Sequence, residues 1–280
     1  MIHMKSINMK YLAGGPIERV KPLPPYDEKI CTFLAELSKK LQKDRRAMAY
    51  PDVLSFAFFC RKANIAKLKA EFEDGNTRLG RGLAFHIAPS NVPVNAAFTY
   101  VFGLLAGNAN VVRVSSKDFE QVRIICDVIQ TMFDSGNYDE IRDMTAFVSY
   151  GRSQEINDEL SLMANARIIW GGDATIAEIR KSPIGSRCTE LTFADRYSFG
   201  ILNPMKIADD SEEEVKRLAE QFYNDTYLMD QNACSTPHLI LWKSDKSSKA
   251  EEGKKRFWNA VHKEAGKYDL ADIKVSDKYV

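Results

Sequence analysis

Between residues 83 and 181 short apolar runs alternate with longer amphipathic ones, and this alternation restricts the fold more than any other feature of the chain. "LAFHIA" (83–88), "VVRV" (111–114), "TAFVS" (145–149) and "ARIIW" (166–170) have the length and apolar character of buried strands. The intervening stretches 94–106, 118–133, 153–164 and 174–181 have the length and spacing of helices. Strands that alternate with helices imply βαβ units, hence an α/β fold with a Rossmann-type parallel sheet and helices on both faces. That sheet domain is expected over 80–205.

The flanking regions read differently. Residues 1–26 read as an irregular arm ended by the prolines of "KPLPPYDE". Helices are expected over 27–46 and 52–73, and "EDGNTRLGRG" (73–82) is a turn-rich boundary, so 1–79 forms an N-terminal helical segment. At the end of the sheet domain, a strand at 197–204 precedes a helix over 211–226. Ser211 or Asp210 would cap that helix, and three glutamates fill its first turn, where the helix dipole favours negative charge. A strand at 238–242 and a charged helix over about 248–265 complete a third segment, 206–280.

Composition removes several function classes. The 39 basic and 38 acidic residues nearly cancel, and no basic stripe is interleaved with aromatics, so a nucleic-acid partner is not expected. The most apolar segment, 92–107, is broken by Asn95 and Gly103 and is too short to span a bilayer, so no membrane role is expected. The five cysteines are widely spaced with no C-x-x-C, which disfavours a disulfide framework or a zinc site and suits a reducing cytoplasm. No metal is expected.

Ligands of an open parallel sheet bind beyond the carboxyl ends of its strands. Those ends here are "PSNVP" (89–93), "SSK" (115–117), "YGRS" (150–153) and "GGDAT" (171–175). Gly171 and Gly172 let backbone approach a phosphate at a helix start; alternatively they form a tight turn with Asp173 as N-cap. Asn91, between Pro89-Ser90 and Val92-Pro93, either offers its amide to an oxyanion or bonds its own turn. His86, inside an apolar strand, reads as a satisfied core residue. Cys234, in "DQNACSTPH" (230–238), is a nucleophile, a metal ligand or an apolar filler. A pair with His238 is conceivable, although Pro237 would break a helix between them.

Four stretches carry a resemblance: "GRGLAFHIAPSNVPVNAAFTYVFGLLAGNANVVRVSSK" (80–117), "IIWGGDATIAEIRK" (168–181), "DRYSFGI" (195–201) and "DQNACSTPH". In this order they resemble the acyl-CoA reductase family typified by the fatty acid reductase of bacterial bioluminescence (LuxC), a branch of the aldehyde dehydrogenase superfamily. The resemblance implies an aldehyde-dehydrogenase-like fold with a nucleotide-binding domain and a catalytic domain. It implies that Cys234 is the catalytic nucleophile and that Asn91 helps form the oxyanion hole. Arg113 stands where the superfamily usually has a cofactor-binding lysine. Pro89, Ser115, Ser116, Lys117, Gly171, Gly172 and Asp173 fall on the cofactor-binding loops.

Two departures from the superfamily pattern bear on the chemistry. The glutamate that often grips the adenosine ribose, three residues after the lysine, is replaced by Ser116 and followed by Lys117, which favours a 2′-phosphate and hence NADPH. The general-base glutamate of the oxidising members aligns with Thr192; Glu190 reaches that position only with a two-residue shift. Loss of the base would suppress thioester hydrolysis. The implied reaction is NADPH-dependent reduction of an acyl-CoA, or of an acylated partner protein, to an aldehyde through an acyl-Cys234 intermediate. The other readings are an oxidising aldehyde dehydrogenase, a Cys234–His238 hydrolase and a non-catalytic nucleotide-binding remnant. The family's catalytic domain continues well past the cysteine whereas this chain has 46 residues after it, so an incomplete catalytic domain is expected, with homo-oligomerisation a property of the full-length protein.

Overall fold

The computed structural model describes residues 9–194, 196–227, 234–244 and 247–268. The chain divides into two compact units, 1–194 and 195–280.

The first unit is built on a six-stranded sheet in the order β1-β4-β3-β2-β5-β6. Strands β2 (Leu83–Ile87), β3 (Ala109–Arg113), β4 (Thr145–Ser149) and β5 (Ala166–Trp170) match the four expected runs within two residues at each end. They are parallel to one another and to β6 (Thr189–Phe193). All five residues of β2 are buried, and β3, β4 and β5 each have four buried residues, as a sheet covered on both faces requires.

Helices α4 (Asn95–Leu105), α5 (Glu120–Asp134) and the short α6 (Asp139–Arg142) pack on one face with α1 (Glu28–Lys43), α2 (Pro51–Phe59) and α3 (Lys62–Phe72). In α1, residues Ile30, Phe33, Leu34, Leu37 and Leu41 are wholly buried at helical spacing, and the Asp27 carboxylate caps the helix at the Lys29 amide. Phe33, Phe56, Phe133 and Phe147 are fully buried in this layer, each worth roughly 2–3 kcal/mol of apolar transfer. The opposite face carries α7 (Gln154–Met163) and α8 (Asp173–Ile179), which bring Leu160, Ile176 and Ile179 onto Phe85, Ile87, Val111 and Ile169. The helices of 27–72 therefore share a core with the sheet.

Several expectations need correction. The arm at 1–26 is not wholly irregular: β1 (Lys10–Gly14) pairs antiparallel with β4. Its register shifts between Tyr11 and Ala13, and only Ala13 is buried, so the period-two signal is lost. Gly14 is obligatory there, since its φ is +73° and a Cβ would lie 1.9 Å from the Thr145 carbonyl oxygen. The helix expected over 52–73 is two helices, broken where Arg61 turns extended (φ −60°, ψ 142°). The strand β6 was not anticipated, because an edge strand of sequence "TELTF" with no fully buried residue has no apolar run.

In the second unit, β7 (Ser198–Leu202) and β8 (Pro237–Trp242) form a parallel pair. Pro237 thus opens a strand rather than interrupting a helix, its missing N–H being tolerated at that position. Helices α10 (Glu212–Thr226) and α11 (Ser248–Ala265) fall where expected, and Ser211, not Asp210, caps α10 in a reciprocal box with Glu214. An unexpected short helix, α9 (Pro204–Asp209), packs against α11 so closely that a Cβ on Gly253 would lie 1.9 Å from the Pro204 carbonyl oxygen. The Arg256 guanidinium donates to the carbonyls of Ile207, Ala208 and Asp210, satisfying the end of α9. Ile207, Val215, Ala219, Phe257 and Val261 form the core. Phe199, Ile201, Leu239 and Leu241, on the other face of the strand pair, are exposed.

A polar thread crosses the first unit's core. The Asn110 amide nitrogen donates to the Asn108 carbonyl, so its oxygen accepts from His86 Nε2 at 2.9 Å. That leaves His86 Nδ1 to accept from the Thr99 hydroxyl at 2.7 Å, whose oxygen in turn accepts from Trp170 Nε1 at 3.2 Å. His86 is thus the satisfied core residue its sequence context implied. Burial lowers its pKa to about 4, with the Asn110 bond opposing part of the shift. Between that value and the unfolded value near 6.5 the unfolded chain binds more protons. Stability is therefore full above about pH 6.5 and falls toward pH 4, by on the order of 3 kcal/mol. Trp170 is the single tryptophan of this unit. Urea midpoints read from it in a Trp242→Phe/Trp258→Phe background are expected to fall between pH 7 and 4.5, with the slope flattened by His86→Gln. An unchanged slope in that variant would refute the assignment.

Candidate functional site

Because β2 to β6 run in one direction, their carboxyl ends share one edge of the first unit. Register aligns Ile87 with Arg113, Arg113 with Val148, and Trp170 with Phe193. The loops beyond these residues bring Pro89, Asn91, Arg113, Ser115, Ser116, Lys117, Gly171, Gly172 and Asp173 to that edge. Cys234 belongs to the second unit.

Asn91 is exposed, and its side chain has no hydrogen-bond partner among the described residues. It does not lock its own turn, so its amide remains available as a donor. The loop after β3 is held by the Ser115 hydroxyl, which accepts from the Lys117 amide at 3.1 Å. Ser116 and Lys117 are exposed. The nearest carboxylates in sequence, Asp118 and Glu120, are both engaged by Arg123. The 115–117 loop therefore offers hydroxyls and an ammonium with no carboxylate of its own, a donor set that fits a phosphate.

The Gly171-Gly172 turn is more constrained than its sequence implied. The Gly171 N–H is spent on the Phe193 carbonyl, and Gly172, not Asp173, is the cap residue of α8. Asp173 is the first residue of the helix, and no side chain caps it. Beside this turn the rings of Trp170 and Phe193 stack at 3.8 Å and 7°.

Sequence reasoning passed over Tyr150, the first residue beyond β4. The Arg113 guanidinium lies over its ring, 4.7 Å from the centroid. Arg113 Nε is buried without a hydrogen-bond partner, and no described carboxylate pairs with this arginine. The Tyr150 hydroxyl donates to Asn157 Oδ1 at 2.8 Å; burial raises its pKa, outweighing the lowering by Arg113, so it stays a donor. The strand register was the available signal: Tyr150 lies two residues past Val148, the neighbour of Arg113.

Of the two candidates for a general base, Glu190 is committed to structure. It pairs with the buried Arg167, whose guanidinium also donates to Ser161 Oγ and to the carbonyls of Ile179 and Ser182, and with Arg180 at 2.7 Å. Burial alone would raise the Glu190 pKa, but the bonds and charges of Arg180 and Arg167 outweigh it and the net shift is downward. Glu190 is also three residues short of the carboxyl end of β6, about 10 Å at strand rise. Thr192, on the same strand face, has no carboxylate to contribute.

In the second unit Cys234 is exposed. Its carbonyl accepts from the Ser198 hydroxyl at 2.6 Å, which ties the approach to β8 to the start of β7. Two residues on, the Thr236 hydroxyl donates to the Asp225 carbonyl in α10 at 3.0 Å. The thiol has no hydrogen-bond partner among the described residues, and the His238 ring instead lies 5.3 Å from that of Tyr197. Residues 230–233 of the cysteine motif lie outside the described residues.

The acyl-CoA reductase (LuxC) family profile matches residues 9–277. The chain belongs to this family. A long-chain acyl-protein thioester reductase of Vibrio harveyi is 25% identical over 169 residues, 59% of this chain and 33% of that protein. The fold is that of aldehyde dehydrogenases. Lactaldehyde dehydrogenase superposes with a TM-score of 0.60 at 14% identity, covering 88% of this chain and 52% of that one. Betaine aldehyde dehydrogenase from Staphylococcus aureus, solved in complex with NAD+, gives 0.59 at 16% identity, covering 87% and 51%. This acyl-CoA reductase family chain thus spans about half the length of these structures and a third of the curated relative.

Removing one partner of a buried ion pair typically costs about 3–5 kcal/mol, because the other charge is left uncompensated. Glu190→Gln is expected to lower the urea-unfolding free energy by about 3 kcal/mol, and Thr192→Ala by under about 1 kcal/mol. Equal, small losses in the two variants would contradict a structural role for Glu190.

Proposed function

We propose that this chain carries the cofactor-binding edge and the nucleophile of an NADPH-dependent acyl reductase that converts an acyl thioester to an aldehyde. The observation that carries the reading is an exposed Cys234 in a chain whose candidate base, Glu190, is held in an ion-pair network. A cysteine nucleophile forms an acyl-enzyme thioester. Without a carboxylate to activate water, that thioester resists hydrolysis and waits for a reductant.

Each residue then has a defined task. The Cys234 thiolate adds to the acyl carbonyl, the donor's thiolate leaves, and the acyl group stays on sulfur. The Asn91 amide donates to the oxygen that gains charge during this addition. Arg113 and Lys117 would hold the 2′-phosphate, with the Ser115 and Ser116 hydroxyls as further donors, and Pro89, Gly171, Gly172 and Asp173 would line the dinucleotide's path. Bound there, NADPH would supply hydride to the acyl carbon; the C–S bond to Cys234 then breaks, its electron pair returns to sulfur as thiolate, and the aldehyde leaves. The name of the Vibrio harveyi relative supports an acylated protein as one donor, and the family description supports acyl-CoA as another.

Intact-mass measurement after incubation with a long-chain acyl-CoA tests the reading. Wild type is expected to gain one acyl group, and Cys234→Ala none, with the acyl group discharged as aldehyde when NADPH is added. A folded wild-type chain that gains no acyl group would count against the proposal, as would an adduct that persists on Cys234→Ala.

A further inference from the structure

We propose that Tyr150 is a positioning residue for cofactor selection: its ring holds the Arg113 guanidinium in place for a 2′-phosphate without neutralising it. The inference rests on the cofactor reading above.

Arg113 ends β3 beside Val148 of β4, so its side chain leaves the sheet on the same face as those of Val148 and Tyr150. The guanidinium meets the Tyr150 ring at 4.7 Å. That ring is only 7% exposed and belongs to the core with Val111, Val148 and Leu160. Its hydroxyl is fastened to Asn157 of α7, itself 8% exposed. Ser153 caps the same helix by accepting from the Ile156 amide at 3.2 Å. The loop 150–153 is thus fixed at both ends, and the ring is a rigid support.

Two arginines of this unit show the alternatives. Arg167 is oriented by a carboxylate, Glu190, which also cancels its charge. Arg113 is oriented by a π face, and no described carboxylate pairs with it. An aromatic face attracts a cation through its quadrupole but carries no net charge, so the field beyond the guanidinium survives. The orphaned Nε, buried without a partner, belongs to the side of the guanidinium turned into protein. This arrangement suits an arginine awaiting an anion, and a 2′-phosphate is the anion that distinguishes the two nicotinamide dinucleotides.

Binding rather than turnover tests this. Dissociation constants for NADPH, NADH, 2′-AMP and 5′-AMP are measured by calorimetry on wild type, Tyr150→Phe, Tyr150→Leu and Tyr150→Met. Tyr150→Met retains bulk should Tyr150→Leu not fold. Loss of the ring is expected to weaken NADPH and 2′-AMP about tenfold while NADH and 5′-AMP change less than about twofold. Tyr150→Phe, which keeps the ring and loses only the bond to Asn157, is expected to bind like wild type. Equal weakening of all four ligands, or a Phe variant as impaired as the Leu or Met variant, would overturn the inference and leave the reductase reading standing. A wild type that prefers NADH would overturn the inference and the NADPH choice in the proposed function together, and a wild type that binds neither dinucleotide would overturn the inference and the cofactor-binding edge.

Discussion

The Arg167 guanidinium, 2% exposed at the side chain, is the constraint on which the second half of the sheet depends. It reaches Ser161 in α7, the last carbonyl of α8 at Ile179, the Ser182 carbonyl beyond it, and Glu190 in β6. One side chain thereby joins two helices and two strands. A buried charge is tolerable only when paired and fully hydrogen-bonded, so these elements are mutually required. The edge strand β6 has little apolar burial of its own, and the ion pair, the sheet bonds and the stacking of Phe193 on Trp170 keep it in place.

That arrangement has a chemical side. A glutamate tied to two arginines is a poor proton acceptor, because its charged form is already stabilised. Glu190 is anchored in this way, as a structural tie within the first unit. The proposed reductase reading draws its support from this and from the exposed Cys234.

The parallel sheet was legible in the sequence because β2 to β5 are continuous apolar runs punctuated by turn residues. What was not legible shares a cause: the residues involved are specified by distant partners rather than by local pattern. The strand β1 is shaped by a close approach of Gly14 to Thr145, and β6 by Arg167. The break after Cys60 interrupts a run with no glycine or proline to mark it. Arg113, inside the expected strand 111–114, was singled out by the family resemblance, whereas Asn91 and the 115–117 loop could be placed at the carboxyl edge of the sheet because they follow strands directly. Tyr150 follows one too, yet a tyrosine after an apolar strand looks like core, and it is core; only the register shows what lies on its ring.

The thread from Trp170 through Thr99 and His86 to Asn110 and Asn108 answers a difficulty that parallel sheets create for themselves. Strands buried on both faces are apolar throughout, so sliding one past its neighbour by two residues returns much the same pattern to the same faces. Hydrophobicity cannot tell the alignments apart. A directed series of hydrogen bonds can, since a slip of β2 against β3 would strand the His86 imidazole and the Asn110 amide in a dry interior with nothing to bond. The polar thread therefore works as a vernier, a fine scale that admits one alignment of β2, β3 and β5 and rejects its near neighbours. The tips of those strands, which carry Asn91, Arg113 and the Gly171 turn, inherit their relative heights from it.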